Sequence, residues 1–194
     1  MSIKTRKIEM HWNYLLAIES DLDRLSRYVE FDEKNFDCFS IEIARILLAS
    51  AADVDVVCKQ ICRNLNPKSS AVTINKYREE IRAACPNIPG FEVRLRRWGL
   101  TLTPWDEWKK PRGVPFWWTA YNKIKHHRDS DYQSANLKNA LNAVAGLFVM
   151  VLYLYKKKAE RGQLLPSPQV LSVGETPLGS AVIGDYERGI VYLL

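Results

Sequence analysis

The longest apolar run in the sequence, residues 143–155, contains thirteen residues and is followed by three consecutive lysines. A helix needs about 20 apolar residues to cross a bilayer, so this run is too short for a membrane span and predicts a helix in a protein core. The run is apolar on nearly every side of such a helix. It must therefore lie at the centre of a bundle or be shared with a second subunit.

Four other stretches have the apolar spacing of amphipathic helices, with residues recurring at i, i+3, i+4 and i+7. Thr73 and Ser134 fit N-cap positions, and Pro67 and Pro86 end the helices before them. A chain of 194 residues is long enough for one well-buried domain. We therefore expect a mainly α protein, an antiparallel bundle of four to five helices, with helices over about 8–29, 37 or 40 to 65, 74–84, 116–128 and 134–161.

Residues 86–115 interrupt the helical pattern and are predicted to be an insertion. Within them, residues 91–96 alternate apolar with charged side chains as a strand does. Trp98 and Gly99 then allow the chain to turn back into residues 100–104. The insertion is therefore predicted to contain a small β-hairpin.

The last thirty residues are rich in proline and glycine, which excludes a helix. Short apolar stretches at 181–183 and 189–194 are able to pair as a second hairpin around residues 184–188. We therefore divide the chain into a helical bundle of residues 1–161 and a C-terminal extension of residues 162–194 that is irregular or β in structure.

The net charge of +6 is concentrated in one part of the chain. Residues 94–128 contain nine lysines and arginines against two acidic residues, a charge of +7, and the remainder of the chain carries −1. A local basic excess favours a polyanionic partner such as RNA or a nucleotide, although a solvated basic surface explains it equally well. The candidate nucleic-acid-binding residues are Arg94, Arg96, Arg97 and Lys123.

Five of the six tryptophans lie in the same region, between Trp98 and Trp118. Aromatic side chains among lysines and arginines can stack on nucleic-acid bases. Tryptophan is more commonly an anchor in the interior of a small domain. We expect the second role here.

The cysteines and the N-terminus indicate the compartment. No Cys-x-x-Cys pair is present, so Cys58 and Cys62, which share a helix face, are expected to be buried small apolar residues rather than metal ligands. The first residues are not followed by the apolar run of a secretory signal. These features predict a cytoplasmic protein with reduced cysteines, no cofactor and no membrane attachment.

The most distinctive chemistry lies in the helix predicted over 116–128. Several enzyme classes are excluded, because the sequence has no Gly-rich phosphate loop, no His-Glu-x-x-His and no Gly-x-Ser-x-Gly. This helix instead carries two adjacent histidines among cations, His126 on the side away from its apolar stripe and His127 at the edge of that stripe. Imidazole can act as a general acid or base near neutral pH, and cations attract phosphate, which together are what metal-free RNA cleavage requires. The candidate catalytic residues are His126, Asn122, Lys125, Arg128 and His127.

The order of the helices and two local patterns resemble the HEPN superfamily of small helical bundles. One pattern is the second helix, which begins SIEIARILL at Ser40 and continues to the acidic residues Asp53 and Asp55. The other is the polar and histidine motif shortly before the last apolar helix. The resemblance covers about residues 8–158.

This resemblance implies a function and a set of roles. Many HEPN proteins are metal-independent ribonucleases of toxin–antitoxin, phage-defence and CRISPR systems, and others bind nucleotides or have lost catalysis. Their motif is an arginine, usually a polar residue, and a histidine four to six residues after the arginine, and two subunits bring their motifs together in one site. Here Asn122 matches the polar position and His126 the histidine, but Tyr121 replaces the arginine, whose charge Lys125 or Arg128 could supply.

Three interpretations follow. The first is a homodimeric, metal-independent endoribonuclease. The second is a non-catalytic HEPN-like module that binds RNA, a nucleotide, or a partner protein such as an antitoxin through its basic face. The third is a structural dimer seam, in which His126 and Asn122 satisfy buried hydrogen bonds.

Overall fold

Seven helices and five short strands occur in the residues that the structure, a computed structural model, describes, namely 8–174, 181–182 and 189–194. The fold is mainly α, as predicted. The helices are α1 (Met10–Leu25), α2 (Ile41–Leu65), α3 (Ile74–Ala84), α4 (Phe116–His126), α5 (Arg128–Asp131), α6 (Leu137–Leu154) and α7 (Lys156–Ala159). The strands are β1 (Val93–Leu95), β2 (Leu100–Leu102), β3 (Ser172–Val173), β4 (Ala181–Val182) and β5 (Val191–Tyr192).

The apolar helix α6 is the centre of the bundle. α2 runs parallel to it, because both helices begin at the same place, where the backbone N–H of Leu137 donates to the carbonyl oxygen of Cys38 (2.9 Å). α1 and α4 each pack on both α2 and α6, and α3 packs on α2. The end of the bundle where α2 and α6 begin is called the α2 end below.

The insertion covers the remaining side of α6. The ring of Phe91 packs on that of Tyr153 with centroids 6.2 Å apart, and Trp105 Nε1 donates to the carbonyl oxygen of Gly146 (3.2 Å). The chain's own elements therefore bury α6. Of the two alternatives for this helix, the central position is confirmed.

Side-chain caps define the starts of α2 and α3, and the cap at Thr73 was predicted. The side-chain oxygens of Ser40 and Thr73 each accept a hydrogen bond from a backbone N–H three residues later, at the starts of α2 and α3. The predicted cap at Ser134 is wrong. Asn136 caps α6 instead, because residues 132–134 form a 3₁₀ turn before it.

The predicted β-hairpin of the insertion is confirmed and gains a third strand. β1 and β2 pair antiparallel with Val93 opposite Leu102, and the turn between them ends at Gly99, whose φ of 64° suits glycine. β3, from the C-terminal extension, pairs with the other edge of β1. The sequence pattern did not predict this pairing.

The C-terminal extension returns along α1. Trp12 Nε1 donates to the carbonyl oxygen of Pro166 (3.1 Å), and the buried carboxylate of Glu19 accepts the backbone N–H groups of residues 169–171. β4 and β5 pair antiparallel. The turn expected at 184–188 lies outside the described residues.

The tryptophans of the basic region are interior anchors, as expected. Trp105, Trp108 and Trp117 are fully buried and Trp118 nearly so, whereas Trp98 is partly exposed. The rings of Trp105 and Trp117 meet edge to face with centroids 5.2 Å apart. The rings of Trp105, Trp108 and Trp117 are therefore not available for stacking on nucleic-acid bases.

All four cysteines are free thiols. Cys58 and Cys62 are buried, as predicted, and burial raises the pKa of the Cys62 thiol to about 12. Cys38 is exposed in the loop before α2. Within the described part of the chain, only α6 is long and apolar enough to cross a membrane, and it is largely buried inside the protein.

Candidate functional site

Trp117 fixes the rotation of α4 about its axis. Its Nε1 donates to the carbonyl oxygen of Pro104 (2.8 Å), and its ring covers Gly146 of α6, where an added Cβ would lie 2.8 Å from the ring. Tyr121, one turn later, also faces inward and is 8% exposed. The opposite side of the helix, which carries Asn122 and His126, therefore faces outward.

The five candidate catalytic residues, called the polar cluster below, lie at the α2 end of the bundle. α4 ends at His126, and the backbone of His127 (φ −138°, ψ 46°) separates it from α5, which begins at Arg128. The helix predicted to continue through Arg128 is thus broken one residue earlier. Four members of the cluster are exposed and Asn122 is half-buried.

The side chains of the polar cluster have few partners within the protein. The Lys125 ammonium lies 5.6 Å from the centroid of the Tyr121 ring, and the rings of His126 and His127 are 6.4 Å apart. Among the described residues, neither Lys125 nor Arg128 forms an ion pair, and the side chains of Asn122 and His126 form no hydrogen bond. Their charges and ring nitrogens are therefore accessible to a ligand.

The four candidate nucleic-acid-binding residues have a different environment. Arg94 lies 3.9 Å from Glu92, and Arg97 lies 3.3 Å from Asp23 and 4.8 Å from the Trp98 ring centroid. Arg96 is exposed at the tip of the β1–β2 hairpin and also has a partner.

Lys123, the fourth of these residues, lies beside the polar cluster and pairs with Asp131 at 3.8 Å. Much of the basic excess read from the sequence is therefore neutralised locally. The cations without an acidic partner among the described residues include the two of the polar cluster, Lys125 and Arg128.

A second polar group joins α1 to α2 and was not predicted from the sequence. His11 is 9% exposed; its Nδ1 lies 3.0 Å from Asp53 Oδ1, and its Nε2 lies 2.7 Å from the Gln60 amide nitrogen. Burial raises the pKa of the Asp53 carboxyl, and the hydrogen bond from His11 opposes that shift. Asp55, on the same helix, accepts a hydrogen bond from the Tyr77 hydroxyl (2.7 Å).

A sequence signal for this group did exist. His11 occupies a position on the buried stripe of α1, where a polar side chain needs a partner, and Asp53 and Gln60 share one face of α2 at i, i+7. Both nitrogens of His11 are engaged, so this imidazole has none left for proton transfer to a substrate. The two other histidines of the sequence, His126 and His127, have no such bonds among the described residues.

No group of three or more histidine, cysteine, aspartate or glutamate side chains in the described residues is able to hold a metal ion. No protein-family model matches the sequence, and neither a curated protein nor a solved structure shows significant similarity to it. No relative therefore indicates a function for the polar cluster.

Proposed function

We propose that this protein is a cytoplasmic, homodimeric, metal-independent endoribonuclease of HEPN-like type, acting in a defence or stress system. The observation that carries the proposal is the polar cluster itself. It exposes two imidazoles and two cations, Lys125 and Arg128, in one short segment, and no described residue neutralises either cation. Exposed cations attract the phosphates of RNA, and exposed imidazoles can transfer protons at neutral pH.

The position of Lys125 supports its role as the missing motif cation. Tyr121, which stands where HEPN proteins have arginine, is only 8% exposed and has no positive charge to offer a phosphate. The Lys125 ammonium lies above the Tyr121 ring, at 5.6 Å from its centroid. A positive charge is therefore held directly outside position 121, against the face of the aromatic ring.

The cleavage step assigns a role to each side chain. His126 removes the proton from a 2′-hydroxyl, and the 2′-oxygen forms a bond to the adjacent phosphorus while the bond from phosphorus to the 5′-oxygen breaks. The leaving 5′-oxygen takes a proton from His127 or from an imidazole of a second copy. Lys125 and Arg128 stabilise the negative charge of the pentavalent phosphorus, and Asn122 orients the scissile phosphate.

The outward orientation of the cluster is compatible with a site shared by two copies. His126 and His127 project from the end of α4 into solvent instead of into the bundle. Two copies that meet at this surface would place four imidazoles around one phosphate. A base and an acid from different copies would then serve the two proton transfers.

The direct test is cleavage of RNA by the purified protein in the presence of EDTA. We expect the parent protein to cleave with 2′,3′-cyclic phosphate ends, and His126→Ala to lose activity about 100-fold or more, since general acid–base catalysis contributes roughly 10²–10⁴-fold. Thr119→Ala is the matched control, because Thr119 is exposed on the same helix but outside the cluster. Intact RNA after incubation with a high concentration of folded parent protein would contradict the proposal, as would full activity of His126→Ala.

The presence of Tyr121 in place of the motif arginine also favours a second candidate function. Without the motif arginine, the same surface could bind RNA, a nucleotide or a partner protein and not cleave it. This alternative predicts salt-dependent binding without turnover. Lys125→Ala and Arg128→Ala should then weaken binding by similar factors for all sequences, each reducing the slope of log K against log salt by about 1.

A further inference from the structure

Two exposed aromatic side chains lie at the α2 end of the bundle. Tyr28, in the turn after α1, is 84% exposed, and Phe39, just before α2, is 48% exposed. The turn that carries Tyr28 is ordered by hydrogen bonds from its N–H and that of Val29 to the carbonyl oxygen of Leu25 (2.9 and 3.1 Å). The Tyr28 ring is therefore presented to solvent by a fixed backbone.

An arginine-lined cavity of about 450 Å³ lies beside Tyr28, between the end of α1 and the start of α2. Its two carboxylates are each held by an arginine of the same helix, at 3.7 Å for Asp21 and Arg24 and at 2.9 Å for Glu42 and Arg45. Arg27 adds a positive charge without an acidic partner among the described residues. The cavity is thus net positive and has an exposed aromatic ring at its wall, which suits a nucleobase with its phosphate.

Phe39 lies between this cavity and the polar cluster. Its ring meets that of Tyr132 edge to face with centroids 5.7 Å apart, and its backbone forms a β-bridge with Asn136. Tyr132 belongs to the turn that follows α5, and α5 begins with Arg128 of the polar cluster. Exposed aromatic rings therefore occur along the surface that leads from the polar cluster across the start of α2 to the cavity.

We infer that single-stranded RNA lies along this surface, with one base stacked on Phe39 and another held in the cavity against Tyr28. The inference rests on the proposed function and specifies its substrate class. A single strand is required because stacking on a protein ring needs an unpaired base with a free face, whereas the bases of a duplex are already paired and stacked. Arg27, the arginine of the cavity that has no acidic partner among the described residues, contacts a phosphate that flanks the base.

The test measures binding separately from cleavage. A short, unstructured, fluorescently labelled RNA is titrated in EDTA with a His126→Ala protein, and a 2′-O-methylated RNA of the same sequence is titrated with the parent protein. We expect Tyr28→Ala to weaken both interactions by about 10-fold, the usual effect of losing one stacked base. Tyr28→Phe, which keeps the ring, should bind within about twofold of its parent.

Tyr14→Ala is the matched control, since Tyr14, within α1, is also an exposed tyrosine, at 43%, but does not line the cavity. Circular dichroism confirms that each variant is folded. A Tyr28→Ala protein that binds as tightly as its parent overturns the inference, as does a duplex that binds as tightly as the single strand.

The two proposals fail in different ways. If the parent protein cleaves RNA but Tyr28→Ala leaves affinity unchanged, the protein is an endoribonuclease that does not bind RNA through the aromatic surface. If single-stranded RNA binds through Tyr28 but is never cleaved, the aromatic surface is an RNA-binding surface and the proposed catalysis by His126 is wrong. If RNA does not bind at all, both are wrong.

Discussion

The carboxylate of Glu19 should be one of the most sensitive positions for stability, because it holds the C-terminal extension to α1. It is 4% exposed. One oxygen accepts the backbone N–H groups of Val170 and Leu171, both at 2.8 Å, and the other accepts that of Gln169 at 3.0 Å. Three buried donors thus depend on a single side chain.

The magnitude for Glu19→Gln follows from these bonds. The amide oxygen keeps two of these hydrogen bonds, but the acceptor is no longer charged. Each of the two bonds is therefore weakened by roughly 1 kcal/mol, since hydrogen bonds to a charged group contribute roughly 1.5–3 kcal/mol and neutral ones roughly 0.5–1.5. The amide NH₂ replaces the other acceptor and leaves the third N–H without a partner, at a cost of roughly 1–3 kcal/mol. Because the substitution also removes a buried charge, we expect a net loss of about 2–3 kcal/mol.

Urea denaturation and amide hydrogen exchange measure this loss. The unfolding midpoint should fall, or, if the extension detaches locally, the amides of 169–171 should exchange about 30-fold faster, which corresponds to about 2 kcal/mol. Glu79→Gln is the control, because Glu79 is exposed and has only an ion pair to Lys76 at 3.5 Å; its effect should stay below about 0.5 kcal/mol. A Glu19→Gln protein that matches Glu79→Gln in both measurements would refute the reasoning.

Three further outcomes are expected. Gly146→Ala should lose about 1–3 kcal/mol in thermal unfolding, because the new Cβ would lie 2.8 Å from the Trp117 ring in a packed core; no loss would show that the ring can move aside. His11→Ala should lose about 1–3 kcal/mol, since its two partners on α2 are left without it, and stability equal to that of the parent protein would show that water replaces the imidazole. At pH 8 a thiol reagent should modify exposed Cys38 and not Cys62, whose pKa is raised to about 12. Cys62 should react only as the pH approaches that value or after unfolding. Rapid labelling of Cys62 in the native protein at pH 8 would contradict this.

The candidate site was predictable in part, because its signal is local. The apolar stripe through Trp117 and Tyr121 determines which side of α4 faces the core, so the outward direction of Asn122 and His126 followed from helical periodicity alone. The end of α4 at His126 was not predicted. The break falls at His127, a residue with no glycine or proline signal, so the separate helix α5 could not be seen in the pattern.

Which of the basic residues form ion pairs was not predictable from the sequence. A count of charges over residues 94–128 treats all cations alike, but Arg97 pairs with Asp23, a residue 74 positions away in the chain. Lys125 and Arg128 have no such partner among the described residues. The packing of the β1–β2 hairpin near the end of α1 brings Arg97 to Asp23, and the charge count contains no sign of that contact.

The sequence by itself determined the mainly α fold, the starts of α2 and α3, and the burial of α6. These features depend on residues within one or two helical turns of each other, such as the caps at Ser40 and Thr73 and an apolar run too long to be left exposed. The tertiary structure alone decided the contacts between distant segments: the extension bound by Glu19, the pairing of His11 with Asp53, and the exposed rings of Tyr28 and Phe39 at the end that also carries His126. Such contacts depend on how whole elements pack against one another. The residue pattern of a single helix or strand does not indicate which distant elements will pack against it.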